Sequence, residues 1–414
     1  MVEDFKNKEK VDKKEDTKKE DNIFSVSESF AIKVVKNIIL DSIEKRASDV
    51  FIETLEDCLR IRYRVDGLLH EAGRYLLEEA PYIITAIKVI SDLDVAEHRL
   101  PQDGHFRFNI KDRNVDFRVS VLPTNLGEKI VLRVLDKERL NLDLDNLGFD
   151  SEAVEILKRN LKKPYGMIVV CGATGSGKTT TLYSCIKFIN SPKLNIVTIE
   201  DPVEFQLPGI NQVQVQEDIG LTFAAALRSI LRQDPNVILV GEIRDLETAD
   251  IAIKASLTGH LVLSTLHTTT STAAMVRFIN MGIEPFLVAS SCLISASQTL
   301  LRKVCKYCKK KTAIPDVLKK ELENRNITIP KDFEYYKPSG CKFCNNTGYS
   351  GRIGIIEIFE IDQEIREAII SNKTEIEIRR LAIKKGMLTL REKALKKVLD
   401  GLTTLEEVYR TTID

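Results

Sequence analysis

The sequence carries no net charge, no long apolar run and no apolar leader. Its 61 basic residues are balanced by 61 acidic ones over 414 positions, so no global field favours nucleic acid or an anionic membrane. No basic stripe interleaved with aromatics stands out either, and direct nucleic-acid binding is not expected. The longest uncharged run, Pro285 to Leu301, is short for a membrane span and rich in serine; a buried helix is expected there. Met1 leads into Lys/Glu/Asp repeats, so no signal peptide is expected and the cytoplasm is the expected compartment. In that compartment eight cysteines point toward metal binding or burial rather than disulfides.

What is present suggests two or three domains. Residues 1–24 are mostly Lys, Glu and Asp and are expected to be a disordered tail, unable to fold into a further domain. Residues 25–138 read as an α+β domain. Phe30, Ile32, Val34, Val35, Ile38, Ile39 and Ile43 recur at helical spacing, and strand-like stretches follow at 49–54, 58–65, 105–110 and 114–121. Residues 139–163 are expected to link this domain to the next, with Pro164-Tyr-Gly166 breaking the chain. Over 164–301 short apolar strands alternate with helices, the pattern of an α/β domain whose parallel sheet is covered on both faces. Residues 302–351 hold four of the cysteines, and 352–414 are expected to be helical.

The densest signal is Met167-Ile-Val-Val-Cys-Gly172-Ala-Thr-Gly-Ser-Gly177-Lys178-Thr179-Thr180: a strand, then G-x-x-x-x-G-K-T, then a helix-forming run. Glycines let consecutive N–H groups turn inward, and the following helix N-terminus adds positive dipole at the same point. The pattern points to ATP or GTP held by Gly172, Ala173, Thr174, Gly175, Ser176, Gly177, Lys178, Thr179 and Thr180. Lys178 would reach the β- and γ-phosphates, and the Thr179 hydroxyl would hold Mg²⁺.

Acids fall at the ends of the following strands, where ligands of such sheets sit. Ile238-Leu-Val-Gly-Glu242 offers a metal-side acid. Glu200, Asp201 and Glu204 crowd the end of another strand around Pro202, and one of them could act as general base on the attacking water. His260 and His267 are seven apart and would face opposite sides of one straight strand. One is therefore expected to be structural, or the strand ends before His267; His267, at the carboxyl end, is the candidate phosphate sensor.

Cys305-Lys-Tyr-Cys308 and Cys341-Lys-Phe-Cys344 form two C-x-x-C knuckles. Together they supply four sulfurs for a closed tetrahedral Zn²⁺ site, read as structural. Cys58, Cys171, Cys185 and Cys292 lie in apolar contexts and are expected to be small core residues.

Taken together, Gly172-Ala-Thr-Gly-Ser-Gly-Lys-Thr-Thr, Ile199-Glu-Asp-Pro-Val-Glu, Gly241-Glu-Ile-Arg-Asp and Gly259-His-Leu-Val-Leu-Ser-Thr-Leu-His-Thr resemble the Walker A, Asp box, Walker B and His box of secretion-superfamily ATPases. The paired knuckles are similar to the tetracysteine insert of the type II secretion and type IV pilus assembly members, an insert that retraction ATPases usually lack. The resemblance runs from about Ser27 to the C-terminus. It implies a RecA-like P-loop domain preceded by a smaller PAS-like α+β domain. It also implies a homohexameric ring that hydrolyses ATP and acts on an inner-membrane platform protein, to which it is recruited, adding pilin subunits to a filament. By the same resemblance Arg118 and Arg133 approach the nucleotide phosphates, Arg228, Arg232 and Arg244 belong to the ring and its site, Glu204 is the catalytic base, and Glu242 stands on the magnesium side.

The chain departs from that pattern in places. Cys171-Gly-Ala173-Thr stands where Thr-Gly-Pro-Thr is usual, Phe51 where a histidine is usual, His267-Thr-Thr-Thr270-Ser where His-Thr-Asn-Asp-Ala is usual, and Gln298-Thr299-Leu-Leu-Arg302 where Gln-Arg-Leu-x-Arg is usual. Ala173 supplies a backbone donor that proline would not. A competence-type DNA-uptake pilus motor fits the same motifs. A hexameric nucleic-acid translocase is the alternative from another class, and it would show salt-sensitive DNA binding.

Overall fold

The computed structural model describes residues 29–110, 113–136 and 142–413, so the tail expected over 1–24 lies outside the described residues. The chain divides into two compact units between Arg139 and Leu140.

The first unit opens with α1 (Phe30–Glu44), whose apolar spacing buries Val34, Val35, Ile38, Ile39 and Ile43 along one stripe. Strands β1 (Ala47–Thr54), β2 (Cys58–Val65), β3 (Leu68–Leu76), β4 (Gln102–Ile110), β5 (Arg113–Thr124) and β6 (Gly127–Leu135) form one antiparallel sheet in the order β3-β2-β1-β6-β5-β4. Helix α2 (Ala80–Ile90) joins α1 over the same core. Alternation decides which face each side chain takes. Val115, Phe117, Val119 and Val121 of β5 point into the core. Arg118 therefore points to the other face, directly opposite Arg133 of β6.

The second unit begins with the stretch expected to be a linker. Its residues instead carry α3 (Ser151–Leu161), capped by Asp150 Oδ1 accepting from the Ala153 N–H at 2.9 Å. Val154, Leu157 and Leu161 are buried in the main core; apolar residues at helical spacing needed a partner, and the sheet supplies it.

That sheet has seven strands in the order β15-β12-β7-β11-β10-β8-β9. They are β7 (Gly166–Cys171), β8 (Ile196–Glu200), β9 (Asn211–Gln214), β10 (Val237–Val240), β11 (Leu261–Leu266), β12 (Cys292–Val304) and β15 (Tyr349–Glu360), while β13 (Lys310–Thr312) and β14 (Tyr335–Lys337) pair apart from it. All neighbours run parallel except β12 and β15. Both faces are covered, as the near-continuous apolar strands require. Met167, Val169 and Cys171 face one core, while Ile168 and Val170 face the other. Cys58, Cys171, Cys185 and Cys292 are all buried.

Two segments differ from the sequence expectation. The uncharged run forms a helix only over Pro285–Ser291, and from Cys292 it becomes β12. A strand buried on both faces is apolar without alternation, and periodicity cannot tell it from a buried helix. Residues 352–360, expected to be helical, complete β15. Before it come α4 (Lys178–Ile189), α5 (Phe223–Ile230), α6 (Leu246–Leu257), α7 (Ala273–Asn280), α8 (Pro285–Ser291) and α9 (Asp316–Asn324), and after it α10 (Gln363–Ile370), α11 (Glu375–Lys384), α12 (Leu390–Leu399) and α13 (Leu405–Thr411). Among the described residues no helix is long and apolar enough to cross a membrane.

Candidate functional site

The carboxyl ends of β7, β11, β10 and β8 meet on one edge of the sheet. After β7 the chain turns through Gly172, Gly175 and Gly177, all at positive φ. Two of these glycines are obligatory. A Cβ on Gly172 would meet the Gln298 carbonyl oxygen at 2.5 Å, and one on Gly177 would meet Gln298 Nε2 at 2.8 Å. Helix α4 (Lys178–Ile189) then starts with no side-chain cap. Its first N–H groups and dipole are thus presented to an anion, whereas α3 and α13 close theirs with Asp150 and Thr404. Ser176 Oγ is buried and has no hydrogen-bond partner among the described residues, an orphan suited to a phosphate oxygen. Lys178 Nζ donates to the carbonyls of Gly172 (2.8 Å) and Ala173 (3.1 Å), lying over the loop it is expected to serve. Burial lowers its pKa.

Glu242 follows β10, with its carboxylate mostly covered. One oxygen accepts from Arg244 Nη2 at 2.5 Å; the other lies 3.0 Å from His267 Nε2. His267 sits immediately beyond β11, which ends at Leu266. His260 precedes that strand and places Nδ1 3.0 Å from the Ala255 carbonyl oxygen, a structural contact. Glu242, His267 and Arg244 are thus brought together, and Asp201 Oδ2 lies 3.8 Å from Arg244 Nη1.

The acids after β8 separate into two environments. Glu200 is buried, and its carboxylate accepts from Tyr183, from Thr198 Oγ1 at 2.5 Å and from Gln212 Nε2 at 3.2 Å. These three donors, one on one oxygen and two on the other, hold the Glu200 carboxylate inside the fold. Burial, and then the bond to Glu200, push the Tyr183 pKa upward. Glu204 is half-buried in the loop beyond the strand. Arg228 pairs with Glu247, and Arg232 binds the Arg228 carbonyl and Ser229. Arg118 and Arg133 belong to the first unit, where Arg133 Nε also lies 3.4 Å from Asp49 Oδ1.

The residue that motif reading named but gave no role is Gln298. Its side chain is buried against the phosphate loop, donating to the Ser176 carbonyl at 2.8 Å and accepting from Thr181 Oγ1 at 2.7 Å. A lone amide within an apolar run was the available signal, because a buried amide demands partners.

The four knuckle sulfurs lie within 4.8 Å of one another. Cys305–Cys341 and Cys308–Cys344 are 3.8 Å apart and Cys341–Cys344 3.7 Å. A Zn–S bond of about 2.3 Å implies tetrahedral sulfurs about 3.8 Å apart, so the set fits a closed tetrahedral ion. Burial raises the Cys344 thiol, but N–H donation from Cys341 and Gly348, both at 3.2 Å, brings it down to about 7. Burial pushes Cys305 up to about 11. The centre sits at the tip of the β12–β15 hairpin, one knuckle leaving β12 and the other feeding β15.

Residues 25–410 match the family described as Type II/IV secretion system protein. A type IV pilus assembly ATPase, PilB, of Myxococcus xanthus is 46% identical over 405 residues, covering 96% of this chain and 71% of its own. A type II secretion system protein E of Aeromonas hydrophila is 46% identical over 381 residues, covering 92% and 75%. Among solved structures, the ADP-bound pilus retraction motor PilT superposes with a TM-score of 0.62 at 26% identity, over 91% of this chain and 96% of that one.

Proposed function

This chain belongs to the Type II/IV secretion system protein family and is an ATP-hydrolysing enzyme; on that premise we propose that it works as a homohexameric motor in the cytoplasm, recruited to an inner-membrane platform protein, where turnover adds pilin or pseudopilin subunits to a filament. The observation carrying this reading is the phosphate loop and uncapped α4 beside the Glu242–His267 pair, in a chain 46% identical to a pilus assembly ATPase.

In this reading Gly172 to Gly177 and the first turn of α4 cradle the phosphates, while Lys178 leaves its carbonyl contacts to reach the β- and γ-oxygens. The Thr179 hydroxyl and Glu242 would hold Mg²⁺, which would supply positive charge against the phosphates. Glu204 orients the attacking water, and Glu200 holds the base of that loop through Tyr183, Thr198 and Gln212. Cys305, Cys308, Cys341 and Cys344 would hold structural Zn²⁺.

Turnover of size-resolved oligomers, with and without single- and double-stranded DNA, tests the reading. Hydrolysis confined to the hexamer and indifferent to DNA is expected. Strong DNA stimulation would replace the filament motor with a translocase.

A further inference from the structure

The loop that receives phosphate owes its shape to a strand outside the motif. β12 runs beside β7 in parallel, so Ser297 stands level with Cys171, the last residue before the loop. The next residue, Gln298, is 3% exposed, and its amide spans the gap between loop and helix. Its Nε2 donates to the Ser176 carbonyl at 2.8 Å, and its Oε1 accepts from the buried Thr181 hydroxyl at 2.7 Å. The first contact lies on the loop and the second on the first turn of α4. Its backbone carbonyl and side-chain amide also define the space available, since a Cβ on Gly172 would meet the Gln298 carbonyl oxygen at 2.5 Å and one on Gly177 would meet Nε2 at 2.8 Å.

Because the peptide is planar and trans, drawing the Ser176 carbonyl toward β12 turns the Gly177 N–H the other way. Backbone amides bind phosphate only while several converge. Without this tether, Ser176 would have to satisfy a buried carbonyl elsewhere, and the peptide would be free to rotate.

We propose that Gln298 is the positioning residue of the nucleotide site: held by Thr181, it fixes the Ser176 peptide and so keeps the phosphate cradle in its binding shape. This rests on the reading of residues 172–180 as the ATP phosphate site. Thr181 acts through Gln298.

Steady-state ATP kinetics and thermal melting of the full-length chain test the proposal on Gln298→Glu, Thr181→Val, the double variant and Lys178→Ala. Gln298→Glu keeps size and the acceptor for Thr181 but turns a carboxylate oxygen on the Ser176 carbonyl. Its KM for ATP is expected to rise about tenfold or more, with a smaller fall in kcat, since misplacement weakens ground and transition states alike. Thr181→Val is expected to raise KM less, and the double variant to match Gln298→Glu alone, because the two residues form one tether. Unchanged KM in Gln298→Glu overturns the proposal. So do additive effects that track loss of melting temperature, which mark a purely structural contact. If Gln298→Glu does not fold, a folded Thr181→Val with wild-type KM overturns it as well. Lys178→Ala separates the failures: if it leaves turnover intact, the phosphate-site reading itself falls, whereas lost turnover beside a silent Gln298→Glu defeats only the positioning role.

Discussion

His267 Nε2 lies 3.0 Å from Glu242 Oε2, across the ends of two adjacent parallel strands. Arg244 takes the other carboxylate oxygen, so Glu242 is held from two sides before any nucleotide arrives. Removing the histidine leaves the carboxylate in place but free to turn. His267→Ala is expected to lower kcat about 10–100-fold, the usual loss when a group orienting a metal-side ligand is removed. Magnesium-dependent turnover checks this, and wild-type kcat would detach His267 from catalysis.

Lys178→Ala should abolish turnover while leaving the melting temperature nearly unchanged. Among the described residues the lysine bonds its own loop carbonyls and nothing else, so the fold does not depend on it, whereas loss of a preorganised charge at a transferring phosphoryl group costs about 10²–10³ in kcat or more.

Glu204→Gln and Glu200→Gln should part company. The first is expected to bind ATP and hydrolyse it slowly; weak binding instead would assign Glu204 to the metal. The second places an amide against three donors inside a buried network, and is expected to cost about 1–3 kcal/mol of stability. Nucleotide titration beside thermal melting distinguishes them.

Much of this site was legible in the sequence because its chemistry is local. The phosphate loop is a contiguous run whose glycine spacing carries the conformation, and the acids and His267 declare themselves by standing at strand ends. The knuckle cysteines are equally local in pairs. What escaped depends on pairing between distant segments. Nothing near Glu200 announces that Tyr183 and Gln212 turn toward it, and Gln298 lies more than a hundred residues from the Ser176 carbonyl it binds. β12 itself read as helix because its partners on both sides, β7 and β15, are remote in sequence. The linker reading of residues 139–163 missed α3 for a related reason, as its apolar stripe acquires meaning only against the sheet.

Cys341→Ser should lower the zinc content of the purified chain from one per chain toward zero and melt the C-terminal part of the second unit first. Structural zinc contributes folding free energy directly, and three sulfurs leave the site open. Metal analysis with hydrogen exchange over residues 302–351 gives the answer. A wild-type protein without zinc would give the knuckles another purpose.

Acid should weaken the junction between β12 and α13 late. Burial works against the charge on Glu407, but bonds from Arg410 and Arg302 outweigh it and hold the carboxyl near about 2, below the usual 4.5. A depressed folded pKa gives stability that is complete above about pH 5 and is lost as pH falls toward 2. The shift corresponds to about 3 kcal/mol at neutral pH. Glu407→Gln should therefore be less stable at pH 7 and have a flatter stability profile between pH 5 and 2, measured by denaturant unfolding. A parallel profile would show that the pair contributes no linkage.

The hairpin that carries the cysteines has one more property. The chain leaves the main sheet at Val304 and returns at Tyr349, directly opposite, with the Cys305 N–H already bonded to the Gly348 carbonyl at 2.9 Å. Everything between is an excursion that starts and finishes at one point. A shorter or longer excursion would re-thread no strand, and changing its length would alter loop-closure entropy only slowly. Yet the excursion is not a free appendage: Leu318, Leu322 and Tyr335 share a buried cluster with Leu395 and Val398 of α12 and Val408 of α13. Cutting it away would leave the sheet connected as before and strip the C-terminal helices of one wall. Topologically it is a removable cassette; physically it is part of the masonry.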